Sequence, residues 1–169
     1  MKKCIASVVI VFTAMIIAAC GTSIDKEKAI AEANARKAFE AKQDEINQEI
    51  QSIQFHLPLG VSVKDEVPNN IILEKGAHPY ILFYNPIEDP SSKALYNLIN
   101  NQNRQTVVNR TFTDENRFGY LVIFEVDKDQ YEVTAGIGGV KATTESSVKN
   151  LAADAELLMQ LASSAIINE

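Results

Sequence analysis

A glycine-rich segment near the C-terminus contains residue types that could hold a phosphate or another small anion. The candidate ligand-binding residues are Gly136, Gly138, Gly139, Lys141 and Thr143. Glycine loops and helix starts both present free backbone N–H groups to anions. A Walker motif, however, needs Lys directly after the last Gly and a hydroxyl residue directly after Lys. Here Val140 separates the last Gly from Lys141, and Ala142 separates Lys141 from Thr143. We therefore predict a strand end whose glycines permit a bulge or a close approach, with a weak ligand site at this strand-to-helix corner as the alternative.

Other residues that could bind a metal or catalyse a reaction lack the spacing that this chemistry needs. Asp127, Asp129 and Glu132 resemble part of a calcium loop, but the further oxygen ligand, the Gly and the distant Glu are absent. His56 and His78 have no carboxylate or cysteine at metal-ligand spacing. No GxSxG or HExxH signature occurs. We expect no metal, no cofactor and no catalytic residues, although whether the chain is an enzyme stays open.

The N-terminal segment has the organisation of a signal peptide. Lys2 and Lys3 precede an apolar run over residues 4–19, and polar sequence starts immediately after Cys20. This run of about 16 residues is shorter than the roughly 20 that a membrane-spanning helix needs. A basic start, a short apolar stretch and small residues at the end are typical of a segment that is cut away. The alternatives are a plain N-terminal anchor and a secretory cut of the A-x-A type.

Ile17-Ala18-Ala19-Cys20 resembles the lipobox of bacterial lipoproteins. In that family the cysteine thiol receives a diacylglycerol, the signal peptide is removed just before it, and the new amino end is often acylated. The resemblance implies that residues 1–19 are a lipoprotein signal peptide and that Cys20 is the lipidation site. Because two or more acyl chains make attachment to a bilayer stable, the expected location is extracytoplasmic, anchored to the cell membrane through membrane lipid.

Charge and composition narrow the possible partners. The formal net charge is −6, and removal of residues 1–19 takes away Lys2 and Lys3, which leaves −8. An acidic domain repels phosphate backbones, so we expect no nucleic acid partner. The length of 169 residues indicates one folded domain. Since Cys20 would be the single cysteine of the processed chain, no internal disulfide can form.

The pattern after Cys20 predicts a lipidated tether and helical stalk over residues 20–53. Residues 25–53 contain no Gly or Pro and are rich in good helix formers. Their second half carries an apolar stripe of Phe39, Ile46, Ile50 and Ile53, which predicts packing there and a free-standing first half. A partner helix that covers the same stripe, in an oligomer, is the alternative.

Residues 54–169 are predicted to form the folded domain. Strands are expected over residues 61–63, 71–73, 79–84, 106–112, 118–126 and 130–137. A short helix is expected to begin at Asp89-Pro90, and a last helix is expected over residues 145–167, with Ser163 and Ser164 on its surface. The predicted fold class is α+β: a mainly antiparallel sheet of five to six strands with packed helices, preceded by a long N-terminal helix.

The order of these elements over about residues 56–167 resembles the PsbP-like family of small αβα sandwiches. The lipobox, the helical stalk and the acidic domain together resemble small uncharacterised lipoproteins of Bacillus-type bacteria. The signs of lipid anchoring, together with the missing catalytic constellations, predict a lipid-anchored, non-catalytic binding or accessory module that meets a protein partner in the cell envelope. The alternative function is a small-ligand carrier or enzyme with its site near residues 136–144.

Overall fold

The computed structural model describes residues 23–168, so Cys20 and the predicted signal peptide lie outside the described residues. The described part of the chain forms three α-helices and ten strands. In chain order these are α1 (Ile24–Glu40), β1 (Gln48–Ile50), β2 (Ile53–Phe55), β3 (Val61–Val67), β4 (Asn70–Lys75), β5 (His78–Tyr84), α2 (Ala94–Asn100), β6 (Thr106–Thr113), β7 (Phe118–Asp127), β8 (Gln130–Ile137), β9 (Val140–Ser147), α3 (Leu151–Ser164) and β10 (Ile166–Ile167). A short 3₁₀ turn, Val148–Asn150, precedes α3.

The ten strands form two antiparallel sheets. The larger has seven strands in the order β3-β4-β5-β9-β8-β7-β6, and the smaller has three in the order β1-β2-β10. Tyr84 pairs with Val140, which joins the β3–β5 meander to the β6–β9 strands at the centre of the large sheet. The crossover between these two parts of the sheet contains α2, and it passes the β8–β9 turn on its way.

Helices α1 and α3 cover one face of the large sheet and form the main core. Ala31, Ala35 and Ala38 are buried on the inner side of α1, where small side chains allow the two helices to lie close together. Leu158 and Met159 of α3 are fully buried with them. Burial of one such Leu or Met side chain contributes about 1.5–3 kcal/mol. None of the helices within residues 23–168 combines the length and apolar character needed to cross a membrane.

The predicted long N-terminal helix is wrong. Helix α1 ends at Glu40, and the chain continues without helix to β1 and to a tight β1–β2 turn at Gln51, which has a positive φ of 53°. Phe39 is buried against Phe112, with ring centroids 5.7 Å apart, and Ile53 is buried in β2. Sheet pairing and core burial therefore override the local helix propensity after Glu40. The first half of the segment also packs on α3 and does not stand free.

The predicted sheet of five to six strands is also wrong, because the large sheet has seven strands and a second sheet is present. The missed strand β9 covers Lys141 and Thr143, where the sequence suggested a helix start. Its inward side chains, Val140, Ala142, Thr144 and Ser146, are small or polar, so they give a weak strand signal. Helix α3 consequently begins at Leu151.

A second, smaller core lies on the opposite face of the large sheet, under α2. It contains Leu95 and Ile99 of α2 and the aromatic side chains of Phe118, Tyr120 and Phe124. Gly136 permits this arrangement, because a Cβ at that position would lie 2.5 Å from Cζ of Tyr120. The Tyr120 hydroxyl is buried and has no hydrogen-bond partner among the described residues, and burial raises the pKa of Tyr120 well above its usual value.

Replacement of Tyr120 by Phe is expected to stabilise the protein by about 1 kcal/mol at neutral pH, because a buried hydroxyl without a partner carries a desolvation cost. The matched change Tyr80→Phe should cost about 1–2 kcal/mol, because it removes the 2.8 Å hydrogen bond from the Tyr80 hydroxyl to Asp154. Urea unfolding measures both. A loss of stability in Tyr120→Phe as large as that in Tyr80→Phe would contradict this assignment.

The same two tyrosines predict alkaline destabilisation. Burial first, and then the hydrogen bond to Asp154, raise the pKa of Tyr80, and burial raises the pKa of Tyr120. The unfolded chain releases these protons near pH 10 while the folded chain retains them, so full stability holds below pH 10. Above pH 10 each tyrosine should lower the free energy of unfolding by about 1.4 kcal/mol per pH unit. Tyr120→Phe should roughly halve that slope in urea titrations.

Candidate functional site

A cleft lies at one end of the large sheet, where α1 and α3 both end. It has a volume of about 440 Å³. One wall is the loop of residues 86–90, the floor is the β8–β9 turn, and the other wall is the end of α3 with β10. Gln43, just after α1, and Arg117, just before β7, complete the lining. Five separate parts of the chain thus meet at this end cleft.

The loop of residues 86–90 is fixed on the β8–β9 turn through main-chain contacts. Asn85 N–H donates to the Gly139 carbonyl at 2.8 Å, and Phe118 N–H donates to the Pro90 carbonyl at 2.9 Å. Gly138 has a positive φ of 54°, and a Cβ there would lie 2.5 Å from the Cα of Pro90. The glycines therefore serve the close approach of this loop, which builds the wall of the cleft.

Two carboxylates, Glu88 and Asp89, form an acidic lip on the end cleft. The Ser91 hydroxyl and the Ser91 N–H both donate to Asp89 Oδ1, at 2.6 and 2.7 Å. These hydrogen bonds hold the pKa of Asp89 below its usual value, so the carboxylate stays charged at neutral pH. Glu88 accepts a hydrogen bond from the Ser92 hydroxyl. Asp89 thus caps a turn at residues 89–92, and α2 begins only at Ala94, later than the sequence suggested.

Arg117 places a guanidinium group at the cleft, and most of that group is already paired. Its Nε and Nη2 contact Asp114 Oδ2 at 2.8 and 2.6 Å, and Nη2 also donates to the Phe39 carbonyl at 3.0 Å. The guanidinium carbon lies 4.6 Å from the centre of the Phe39 ring. The remaining nitrogen, Nη1, is buried and has no hydrogen-bond partner within residues 23–168. One nitrogen of the guanidinium group is therefore unpaired among the described residues.

Ser163 supplies a second buried and unpaired polar atom at the same cleft. The residue is only 7% exposed, and its Oγ has no hydrogen-bond partner among the described residues. The prediction that Ser163 and Ser164 lie on the helix surface is wrong, because the last turn of α3 is covered by the small sheet. Ser164 does have partners, since its hydroxyl accepts from His56 N–H at 3.1 Å. Ser163 is thus the residue of this pair whose hydroxyl lacks a hydrogen-bond partner among the described residues.

The chemical character of the end cleft follows from these groups. Ile137, Val140 and Ala162 give it an apolar floor, and Ile87 and Ile166 are exposed at its rim. A ligand that buries apolar surface and offers hydrogen-bond acceptors would satisfy both unpaired donors. Concave, mainly apolar sites with a few placed polar groups are the usual form of small-ligand and peptide sites.

The predicted ligand-binding residues are divided between two faces of the sheet. Gly139 lines the end cleft, and Gly138 lies beside it against the loop of residues 86–90. Gly136, Lys141 and Thr143 do not join them. They lie on the face that carries α2, where Lys141 Nζ is 5.4 Å from the centre of the Phe83 ring.

Lys141 and Thr143 line a shallower depression of about 310 Å³ on that face. The Thr143 hydroxyl is 3.0 Å from the Thr134 hydroxyl, so it is already partnered. No helix begins at this point, because β9 continues through it to Ser147. The N–H donors of a helix start, on which the predicted anion site relied, are therefore not at these residues.

A buried polar cluster that the sequence did not reveal joins β5, β9 and the first turn of α3. Asp154 Oδ1 accepts from the Tyr80 hydroxyl at 2.8 Å, and Oδ2 accepts from the Ser146 hydroxyl at 2.6 Å. His78 Nε2 lies 4.0 Å from Asp154 Oδ2 and 2.9 Å from the Thr144 hydroxyl. Asp154 and Ser146 are buried, so this cluster ties α3 to the sheet and does not face a ligand.

Within residues 23–168, the end cleft corresponds neither to a metal-ligand cluster nor to a sequence motif. Among residues 23–168, no group of three or more His, Cys, Asp or Glu side chains is placed to hold a metal ion. Arg117 and Ser163 were not predicted as site residues, because they are far apart in the sequence and neither belongs to a motif. The nearest local signal for Arg117 is the turn that precedes it, where Asp114 Oδ1 accepts from Asn116 N–H at 3.1 Å.

Comparison with known proteins shows a partial similarity in structure and none in sequence. No protein-family model matches the chain, and no curated protein sequence matches it. A solved structure with a similar arrangement is the solution structure of cyanobacterial PsbP (CyanoP) from Synechocystis sp. PCC 6803. Its TM-score is 0.44 and its sequence identity is 9%, over 69% of this chain and 86% of that chain. This structural neighbour is a PsbP-like protein, the family that the order of elements resembles.

Proposed function

We propose that the chain is a lipid-anchored, extracytoplasmic binding module that presents the end cleft to a partner on the side away from the membrane. The observation that carries this proposal is the direction of α1. The helix begins at Ile24, four residues after Cys20, and its last turn contacts the cleft through Phe39 and Arg117. The two ends of α1 therefore correspond to the anchor and the binding site.

The contacts along α1 support this direction at both ends of the helix. Helix α1 contacts the 3₁₀ turn Val148–Asn150. Burial raises the pKa of Tyr131 at the end of the sheet near the start of α1, and the positive charge of Lys28 partly offsets this rise in pKa. In the middle, Arg110 Nε donates to Glu32 Oε2 at 2.8 Å. At its end, Phe39 packs on Gly119 at the beginning of β7. The β7–β8 turn thus lies at the anchor end of the domain.

Two lengths support the proposed orientation of the domain relative to the bilayer. Seventeen helical residues span about 25 Å at roughly 1.5 Å per residue. The four residues from Cys20 to Ile24 can reach at most about 14 Å when extended. A domain attached by so short a tether would keep the β7–β8 turn near the bilayer and the end cleft one helix length farther away.

Replacement of Cys20 by Ser is expected to abolish incorporation of a clickable palmitate analogue in a bacterial host that processes lipoproteins. Cys4→Ser is the matched control, because it makes the same change inside the predicted signal peptide and should leave labelling unchanged. Labelling is read on the purified chain after gel electrophoresis. Equal labelling of wild type and Cys20→Ser, or loss of labelling in Cys4→Ser, would overturn the proposed anchor.

A further inference from the structure

We infer that the end cleft binds a short apolar peptide segment with a positive charge at one end. This inference rests on the proposed function and names the ligand class of its site. The volume of about 440 Å³ lies in the range that holds small ligands and short peptide pieces. Ile87 is 87% exposed at the rim, and Ile166 is 48% exposed across from it. Apolar side chains of a bound segment would cover both.

The unpaired donors of the cleft match the acceptors of a peptide backbone. Arg117 Nη1 can only donate, and the Ser163 hydroxyl can donate to an acceptor that reaches it. Both atoms are buried and unpartnered within the described residues, a state that costs free energy until a ligand supplies acceptors. Each peptide unit carries one carbonyl oxygen. An extended segment therefore offers acceptors at regular spacing along an otherwise apolar path.

The charge of the cleft favours a cation over an anion. Asp114 balances the charge of Arg117 through contacts of 2.6 and 2.8 Å. The acidic lip of Glu88 and Asp89 has no such balancing contact with a basic residue within residues 23–168. The net field at the opening is therefore negative, so it attracts a lysine, an arginine or an amino terminus and disfavours a carboxylate ligand.

The test uses two peptides that differ only in the charged residue: N-acetyl-Leu-Leu-Lys-amide and N-acetyl-Leu-Leu-Glu-amide. Each is titrated by calorimetry into the mature lipidated chain in phosphatidylcholine nanodiscs, with empty nanodiscs as the blank. The Lys peptide should bind at least threefold more tightly than the Glu peptide, and Glu88→Gln should reduce that preference. No binding of the Lys peptide, or equal or tighter binding of the Glu peptide, would overturn the inference.

Substitutions in the end cleft test whether the peptide binds there. Ile87→Ser removes apolar surface from the rim, and Ser163→Ala removes a donor. Each substitution should weaken binding of the Lys peptide about fivefold, which corresponds to roughly 1 kcal/mol of binding free energy. Leu59→Ser is the control, because Leu59 is fully exposed and does not line the cleft. Equal effects of Ile87→Ser and Leu59→Ser would also overturn the inference. Failure of the peptide test with palmitate labelling at Cys20 intact rejects the ligand class alone, whereas loss of that labelling rejects the anchor.

Discussion

Alanine in place of Gly138 is expected to lower the free energy of unfolding by about 3 kcal/mol or more. The residue has a φ of 54°, and left-handed backbone costs a residue with a Cβ about 1–2 kcal/mol. The larger contribution is steric, because the new Cβ would meet the main chain of Asp89 and Pro90, which cannot rotate away as a side chain could. The loop of residues 86–90 must then leave the β8–β9 turn.

Gly76→Ala is a matched control for this change. Gly76 also has a left-handed φ, 64°, in a turn between two antiparallel strands, but nothing lies within 4 Å of the position of its Cβ. Gly76→Ala should therefore lower the free energy of unfolding only by the backbone conformational cost, about 1 kcal/mol. Urea unfolding of both variants gives the difference. Equal losses in the two would mean that the loop does not rest on Gly138 and that the wall of the cleft is not built as described.

The second large effect is expected at Asp154. Asp154→Ala should cost about 3 kcal/mol, because it leaves the buried Tyr80 hydroxyl without an acceptor and leaves the Ser146 hydroxyl only the longer contact of 3.2 Å with the Ser147 carbonyl. The negative charge in the first turn of α3 also interacts favourably with the helix dipole, and that contribution would be lost with it. Thermal or urea unfolding at pH 7 measures the loss.

A double-mutant cycle separates the hydrogen bond from the general cost of cavity formation. Tyr80→Phe combined with Asp154→Ala should cost less than the sum of the two single changes, by about 1–2 kcal/mol, because the same interaction is removed in each. Additive losses would show that Tyr80 and Asp154 act independently. Peptide binding at the end cleft should stay unchanged in these variants, because the cluster lies at the other end of α3.

Most strands of the large sheet could be predicted from the sequence, and β9 could not. Strand β8 lies at residues 130–137 as predicted, because Tyr131, Val133 and Ala135 point inward between polar neighbours. Strand β9 has Thr144 and Ser146 at inward positions, where a hydrophobic pattern is lost. These hydroxyls are buried because Pro79 and Asp154 accept their hydrogen bonds, and such long-range partners leave no local signal.

The end of α1 and the composition of the cleft depend on tertiary contacts. Nothing in the residues after Glu40 stops a helix locally, since Ala41, Lys42 and Gln43 all favour helix. The helix ends there because Phe39 is held in the core and the chain must reach the small sheet. The cleft likewise combines Arg117 with Ser163, a pair that only the folded arrangement of β7 and α3 brings to one place.

The most direct test of the proposed arrangement is the relative distance of two surface positions from the bilayer. Cys20 would be blocked by its lipid and residues 23–168 contain no cysteine, so Lys128→Cys and Ile87→Cys each introduce a single labelling site. Lys128 lies in the β7–β8 turn, and Ile87 lies at the rim of the end cleft. A fluorophore at each position is measured in proteoliposomes that contain a headgroup-attached quencher. We predict strong quenching at position 128 and weak quenching at position 87. Equal quenching, or stronger quenching at position 87, would contradict it.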